Sequence, residues 1–213
     1  MQMIQDAVYH SIDLWTAYCS TLQDGLEPVG MLAAARSCTP ILHTLGKVVK
    51  PLASQIEQDC NVIEADMRSS ATIALSLGGL VGERDVEAPV VQSIVWLHRG
   101  LTFAKTLAFT MSTQPTSTTT ECTRKAYDAV LAPHHSTPVR AIFRRAFKVL
   151  PNRVKMRARI AGVQTDALLM QWAQVVEPVL LHIDMLCAER DWTSRVSCVA
   201  VDEPDSAWLE ACM

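Results

Sequence analysis

The residues that punctuate β structure are scarce. Eight glycines and ten prolines among 213 residues leave little turn punctuation for a many-stranded β fold. Charge is also scarce: 19% of residues are charged and the net charge is −3, which excludes a strongly basic nucleic-acid binder on bulk charge. With 49% apolar residues the chain can bury a sizeable core, so disorder and coiled coil are excluded as well. The seven cysteines are odd in number, scattered and never spaced CxxC, which argues against a disulfide framework and a zinc site and points to a reducing setting. No stretch approaches the roughly 18 uncharged apolar residues of a spanning helix. The opening MQMIQDAVYH lacks the basic and apolar regions of a signal peptide. A cytoplasmic protein is expected, with one domain over 1–192 and a weakly ordered tail over 193–213.

Catalytic signatures are missing too. There is no GxGxxG, P-loop, HExxH or GxSxG, and no carboxylate pair suited to acid–base work. His134 and His135 are neighbours in a loop, an arrangement in which two residues rarely ligate one metal. A Cys122–His135 nucleophile pair has only its residue types in its favour. Neither an enzyme nor a metal or cofactor is expected.

What is present is helical period. Ile4, Ala7, Val8, Ile12, Leu14 and Trp15 recur at three- and four-residue intervals between Met3 and Leu22. Pro28 suits the first turn of a second helix running through Leu42, with Gly46 as its C-terminal cap. A third helix starts near Pro51 and carries Leu52, Ile56, Cys60 and Ile63. A short apolar piece over 71–80 ends in Gly78-Gly79 and leads into a loop. From Pro89 to about Met111 the chain is apolar nearly all round, as befits a helix in the middle of a fold. A Ser/Thr-rich loop over 112–121 precedes helices at about 122–132, 136–149 and 164–190. The expected class is all-α.

Two segments stand out. Between Asp128 and Asp166 there is no acidic residue, yet eight basic ones fall there. Arg140, Arg144 and Lys148, spaced i, i+4, i+8, share one helical face opposite Val139, Ile142, Phe143 and Phe147. Such a face suits an anionic membrane surface, at about 1 kcal/mol per basic residue. A solvated helix face explains it equally well. The central helix places Trp96 beside His98, Arg99 and Gly100. Trp96 offers a flat face for a ring, and an Arg within so apolar a helix must pair or reach a polar cavity; a core Trp beside a snorkelling Arg is the simpler account.

VWLHRGLTF (95–103) resembles the signature helix of the glycolipid transfer protein family. The W-L-x-R-G-L-x-F core matches at Trp96, Leu97, Arg99, Gly100, Leu101 and Phe103. Downstream, Ala126, Tyr127, Leu131, His135, Ile142 and Phe143 recur at family spacing, and Leu45-Gly46 followed by Pro51-Leu52 is a weaker third match. Order and spacing agree from roughly Gly25 to Trp192.

The resemblance implies a two-layer sandwich of about eight helices. Family members hold the chains of one sphingolipid between the layers, with the headgroup in a polar surface site. It implies intermembrane transfer of one sphingolipid with a glycosylated or neutral headgroup, by a monomer in transient contact with membranes. Alternatives are a ceramide-1-phosphate carrier of the same fold or a lipid sensor that does not transfer. Trp96 becomes the platform under the first sugar, His135 the donor to the ceramide carbonyl, and Arg99 the residue that orders the site. Phe103, Phe143, Leu52, Leu107 and Val49 become the chain pocket. Where the family carries Asp, Asn or Lys, and Lys on its second core helix, this chain has Gln55, Asp59 and Val62. Gln55 accepts the ceramide N–H without charge assistance, and Asp59 accepts sugar hydroxyls and repels phosphate. The family's membrane-docking Trp is replaced by Thr137, which shifts docking to Arg140, Arg144 and Lys148.

Overall fold

The computed structural model describes residues 2–22, 27–46, 49–69, 76–82, 84–192 and 196. Among them the chain forms ten α-helices: α1 Gln2–Cys19, α2 Pro28–Arg36, α3 Thr39–His43, α4 Lys50–Ser69, α5 Leu77–Val81, α6 Pro89–Thr113, α7 Thr119–Val130, α8 Thr137–Ala146, α9 Arg153–Ile160 and α10 Thr165–Glu189. Eight of these have eight or more residues, while α3 and α5 have five each. Short 3-10 turns at Ala132–His134, Phe147–Val149 and Gly162–Gln164 join the later ones. No strand occurs among the described residues.

Proline starts many of these helices. It occupies the first or second position of α2, α3, α6 and α8, where its missing N–H is an orphan anyway and its fixed φ suits the first turn. Pro40 also explains why the single helix expected from Pro28 to Leu42 is two: the chain breaks at Ser37–Cys38 and restarts at Thr39. Gly46 has φ +90°, in keeping with its expected role as terminator.

The Ser/Thr-rich stretch expected as a loop is half helix. Helix α6 continues to Thr113, and Thr118 forms a capping box with Glu121 that starts α7, as Ser/Thr followed by Glu three residues on favours. Helix α9 has no counterpart in the sequence reading. Its apolar face is only Met156 and Ile160, too few to set a period, and its start signal is the Asn152 side chain capping Lys155 N–H at 2.9 Å. The apolar piece expected over 71–80 lies outside the described residues before 76; beyond it, Gly78 and Gly79 sit inside α5, whose C-cap is Gly82.

Helix α6 is central. It packs against α4 on one side, α10 on another and α7 on a third; α1 packs on α10 and α2, and α2 and α3 pack on α4. The result is a two-layer, all-helical sandwich. Sixteen of the 25 residues of α6 are buried, as an all-round apolar helix requires. The tail expected from residue 193 is largely outside the described residues, but Val196 is buried and its carbonyl accepts from the Arg99 guanidinium at 3.0 Å.

Candidate functional site

A cavity of about 550 Å³ opens between α4, α6, α7 and α8, within the range of roughly 300–1,000 Å³ typical of ligand sites. Helix α6 presents Pro89, Gln92, Ser93, Trp96, Gly100 and Phe103 to it, and α4 presents Leu52, Gln55, Ile56, Asp59 and Val62. Apart from the adjacent pairs Gln92-Ser93 and Gln55-Ile56, both sets step by three or four residues, so each is one stripe of its helix. Val49 and Pro51 sit at the α4 end, and Tyr127, Leu131, His135, Val139, Ile142, Phe143 and Phe147 close the far side. Gly100 is where the two helices approach: a Cβ there would stand 3.5 Å from both Ile56 Cγ1 and Leu52 Cδ1.

One wall is a run of stacked rings. His135 lies parallel to Trp96, with centroids 5.8 Å apart, and parallel to Phe143 at 5.2 Å. Tyr127 stacks on Phe143 at 5.1 Å and meets Phe147 edge-on at 5.2 Å. The Tyr127 hydroxyl is 2.9 Å from His135 Nδ1, which fixes the imidazole plane. Burial, then the neighbouring His134, Arg140 and Arg99, push the pKa of His135 down to about 4, so the ring is neutral at pH 7. With Tyr127 donating to Nδ1, the Nε2–H remains as a donor.

The polar end lies against α4. Gln55 Nε2 donates to Asp59 Oδ1 at 3.0 Å, and Asp59 Oδ2 is buried without a hydrogen-bond partner. Burial raises the Asp59 pKa to about 7, against the lowering effects of Gln55 and the nearby Ser93 hydroxyl. Desolvation disfavours the charged form, and here it prevails. Glu87, Gln58 and Gln92 complete the polar lining. Among the described residues no Lys or Arg lines this cavity.

Eight of the residues singled out from the sequence therefore meet at one cavity: Trp96, His135, Gln55, Asp59, Phe103, Phe143, Leu52 and Val49. Two do not line it. Leu107 is one turn and about 6 Å further along α6 than Phe103, and faces a second cavity of about 40 Å³ with Ala104, Ala108, Leu169 and Trp172. Arg99 is buried behind Trp96, its guanidinium carbon 4.8 Å from the ring centroid. It reaches the Trp96 ring from behind and donates to the Val196 carbonyl. Its neighbour His98 faces α10, with Nε2 3.6 Å from Asp184.

The three surface cations are not one free stripe. Arg140 is half-buried and donates from Nε to the His135 carbonyl at 2.7 Å. Arg144 is exposed and faces Asp128 at 3.3 Å. Lys148 is exposed but sits on the 3-10 turn after α8, which interrupts the i, i+4, i+8 register. The arginines of α9 are structural: Arg153 donates to the carbonyls of Met111, Gln114 and Ser117, Arg157 pairs with Asp166, and Arg159 donates to the carbonyl of Thr44. Gln92, Ser93 and Glu87 were not singled out from the sequence. The first two lie four and three residues before Trp96, so the helical register of that residue was the available signal.

Among the described residues no helix is long and apolar enough to cross a membrane, and no group of His, Cys, Asp and Glu is placed to hold a metal ion. A ligand-sized apolar cavity, an aromatic wall and a polar end describe the class: a helical sandwich built around an internal binding space. The sequence matches the profile of the glycolipid transfer protein family over residues 30–162, more than half of the chain, and the chain belongs to that family. Solved structures share the fold. A mutant of the Arabidopsis protein accelerated-cell-death 11, complexed with C12 ceramide-1-phosphate, has a TM-score of 0.76 at 14% identity, over 87% of this chain and 96% of its own. Mouse ceramide-1-phosphate transfer protein has a TM-score of 0.76 at 19% identity, over 86% and 98%. The fungal glycolipid transfer protein HET-C2 has a TM-score of 0.68 at 21% identity, over 76% and 85%. No curated protein matches the chain in sequence.

Proposed function

We propose that the chain is a carrier that takes one sphingolipid from a membrane, holds its chains in the α4–α6 cavity and delivers it to another. The observation that carries this reading is the convergence of Trp96, His135, Gln55 and Asp59 on one apolar cavity. Removing a lipid from a bilayer exposes about 0.8 kcal/mol per methylene, so two long chains raise a barrier on the order of 20 kcal/mol. An apolar cavity lowers that barrier without covalent chemistry, and no catalytic step is required of this chain. In the bound state Trp96 stacks on the headgroup, His135 Nε2–H donates to the amide carbonyl, and the Gln55–Asp59 pair receives the amide N–H and headgroup hydroxyls. Phe103, Phe143, Leu52 and Val49 surround the chains. The carrier works as a cytoplasmic monomer over 1–192, touching membranes through Arg140, Arg144 and Lys148.

A neutral or glycosylated headgroup fits better than the ceramide-1-phosphate for which the mouse protein is named. A phosphate site needs converging cations, and the described lining supplies two carboxyl groups, Asp59 and Glu87, instead.

The test is transfer between vesicles of labelled galactosylceramide, ceramide and ceramide-1-phosphate. Galactosylceramide or ceramide is expected to move fastest. Trp96→Ala should lower that transfer at least ~10-fold, the loss of a stacking contact and its burial, with helical content unchanged. Transfer at the wild-type rate in that variant removes the site assignment; no transfer of any lipid removes the carrier reading. Lys148→Ala should slow transfer from anionic vesicles by roughly fivefold, the equivalent of about 1 kcal/mol, and leave transfer from neutral vesicles unchanged.

A further inference from the structure

Asp59 is an unusual residue to find at the wall of a lipid-sized cavity. It is 3% exposed, one oxygen is held by Gln55 and the other has no hydrogen-bond partner. A buried carboxyl in that state lacks a donor, and a charged donor would satisfy it best. The protein does not offer one from its own lining. Glu87 and His135 share the cavity with it, the first acidic and the second neutral at pH 7. On α4 itself, the adjoining Cys60 thiol is pushed up to about 12 by burial and stays uncharged. On α2, which packs against α4, Arg36 is committed to Glu57 and Glu64. From α6 come the hydroxyl of Ser93 and the amide of Gln92. The polar end therefore combines an under-satisfied acid, neutral oxygen acceptors and no cation among the described lining residues.

Resting on the carrier reading above, we propose that the cavity also takes a lipid amine: a long-chain base whose ammonium group pairs with Asp59 while its chain fills the cavity. An ammonium has three donors and no acceptor. Asp59 supplies the charged acceptor, and Ser93 and Gln55 line the same end of the cavity with further side-chain oxygens. The chain then runs toward Phe103 and Phe143, and the amine carries no phosphate or sugar that would need further partners. Pairing also removes the cost of the isolated carboxylate, since a buried charge is tolerated when it is paired and hydrogen-bonded. An anionic headgroup meets the reverse situation at the same atoms.

The probe is sphingosine, with N-acetylsphingosine as the neutral comparator that differs by capping the amine. Binding of both is measured to the wild type, to Asp59→Asn and to Trp96→Ala, each checked for wild-type helical content. Sphingosine should lose roughly 10- to 100-fold in affinity in Asp59→Asn, the factor that a charged hydrogen bond is worth, while N-acetylsphingosine changes by less than about threefold. Wild-type affinity for sphingosine should climb toward about tenfold per pH unit between pH 5 and 7, as the ionised fraction of Asp59 grows, and Asp59→Asn should be flat over that range. Equal losses for the two lipids in Asp59→Asn, or an equal pH response in both proteins, overturn the amine assignment and leave the carrier standing. If neither lipid nor galactosylceramide binds the folded wild type, the carrier reading falls and takes the amine assignment with it.

Discussion

Helix α6 has two working faces, and they are built to different standards. Toward α10 it is closed. Ala104, Ala108 and Met111 meet Leu169 and Trp172 around a void of about 40 Å³, and polar links pin the seam: Lys105 pairs with Glu177 and His98 faces Asp184. Toward α4 it is open, with about 550 Å³ between the helices and a buried carboxyl oxygen lacking a partner. Protein interiors are close-packed by default, and a void forfeits dispersion contacts along its lining. A space of this size on one side of a helix packed tightly on the other is therefore held open by the packing around it. The α10 seam sets the stability, and the α4 seam is free to be a binding space.

Truncating the tight face should be the most damaging change. Trp172 is 4% exposed and its indole N–H donates to Ser11 Oγ at 3.0 Å, tying α10 to α1. Trp172→Ala should cost about 3–5 kcal/mol and lower Tm by roughly 10 °C, read by thermal unfolding, while the folded fraction keeps its lipid affinity. A loss below about 1 kcal/mol would mean that the α10 seam is not where stability resides.

The open face should announce itself in the pH dependence of stability. Asp59 has a folded pKa raised from 3.8 to about 7, so between those values the folded state holds a proton that the unfolded state has released. Its effect is that stability falls as pH rises through that window. His135 has a folded pKa lowered from 6.5 to about 4, so there the unfolded state holds the extra proton and stability rises with pH. The two slopes oppose over about pH 4–6.5 and largely cancel in the wild type. Asp59→Asn should uncover the rising slope and His135→Gln the falling one, each on the order of 2–4 kcal/mol across the window, read by denaturant unfolding at pH 4.5 and 7. Parallel profiles for the two variants would mean that the groups are not buried together.

How far the sequence foretold these faces follows from the kind of signal each leaves. The all-α class, α6 and most of the cavity wall were legible, because the stripe Trp96, Gly100, Phe103 and the stripe Leu52, Gln55, Asp59 are local repeats in the chain. Fold and family were legible by resemblance as well, through the spaced matches around Trp96 and His135. What failed was whatever depends on end-to-end placement. Leu107 has the right spacing for the pocket wall but lies one turn too deep, and in the basic segment Arg153 and Arg159 brace backbone carbonyls, over a hundred residues away for Arg159, while Arg157 pairs with Asp166. Helix α9 escaped because two inward apolar residues do not make a period. The orphaned oxygen of Asp59 depends on which side chains fail to reach it, and a single chain's spacing cannot encode that.

The finest test of the two faces is the smallest substitution. Gly100 lies in the middle of α6, where glycine is about 0.5–1 kcal/mol less favourable than alanine, and its missing side chain opens onto the α4 seam. The added methyl would meet Ile56 Cγ1 and Leu52 Cδ1 at 3.5 Å, ordinary van der Waals contact, so no steric cost offsets the helical gain. Gly100→Ala should therefore stabilise the fold by about 0.5–1 kcal/mol while narrowing the cavity at its waist and weakening binding of two-chain lipids more than single-chain ones. A stability gain together with a binding loss at Gly100 would show that space on the α4 face is kept for a ligand at the expense of the helix; a gain in both would show that it is merely slack.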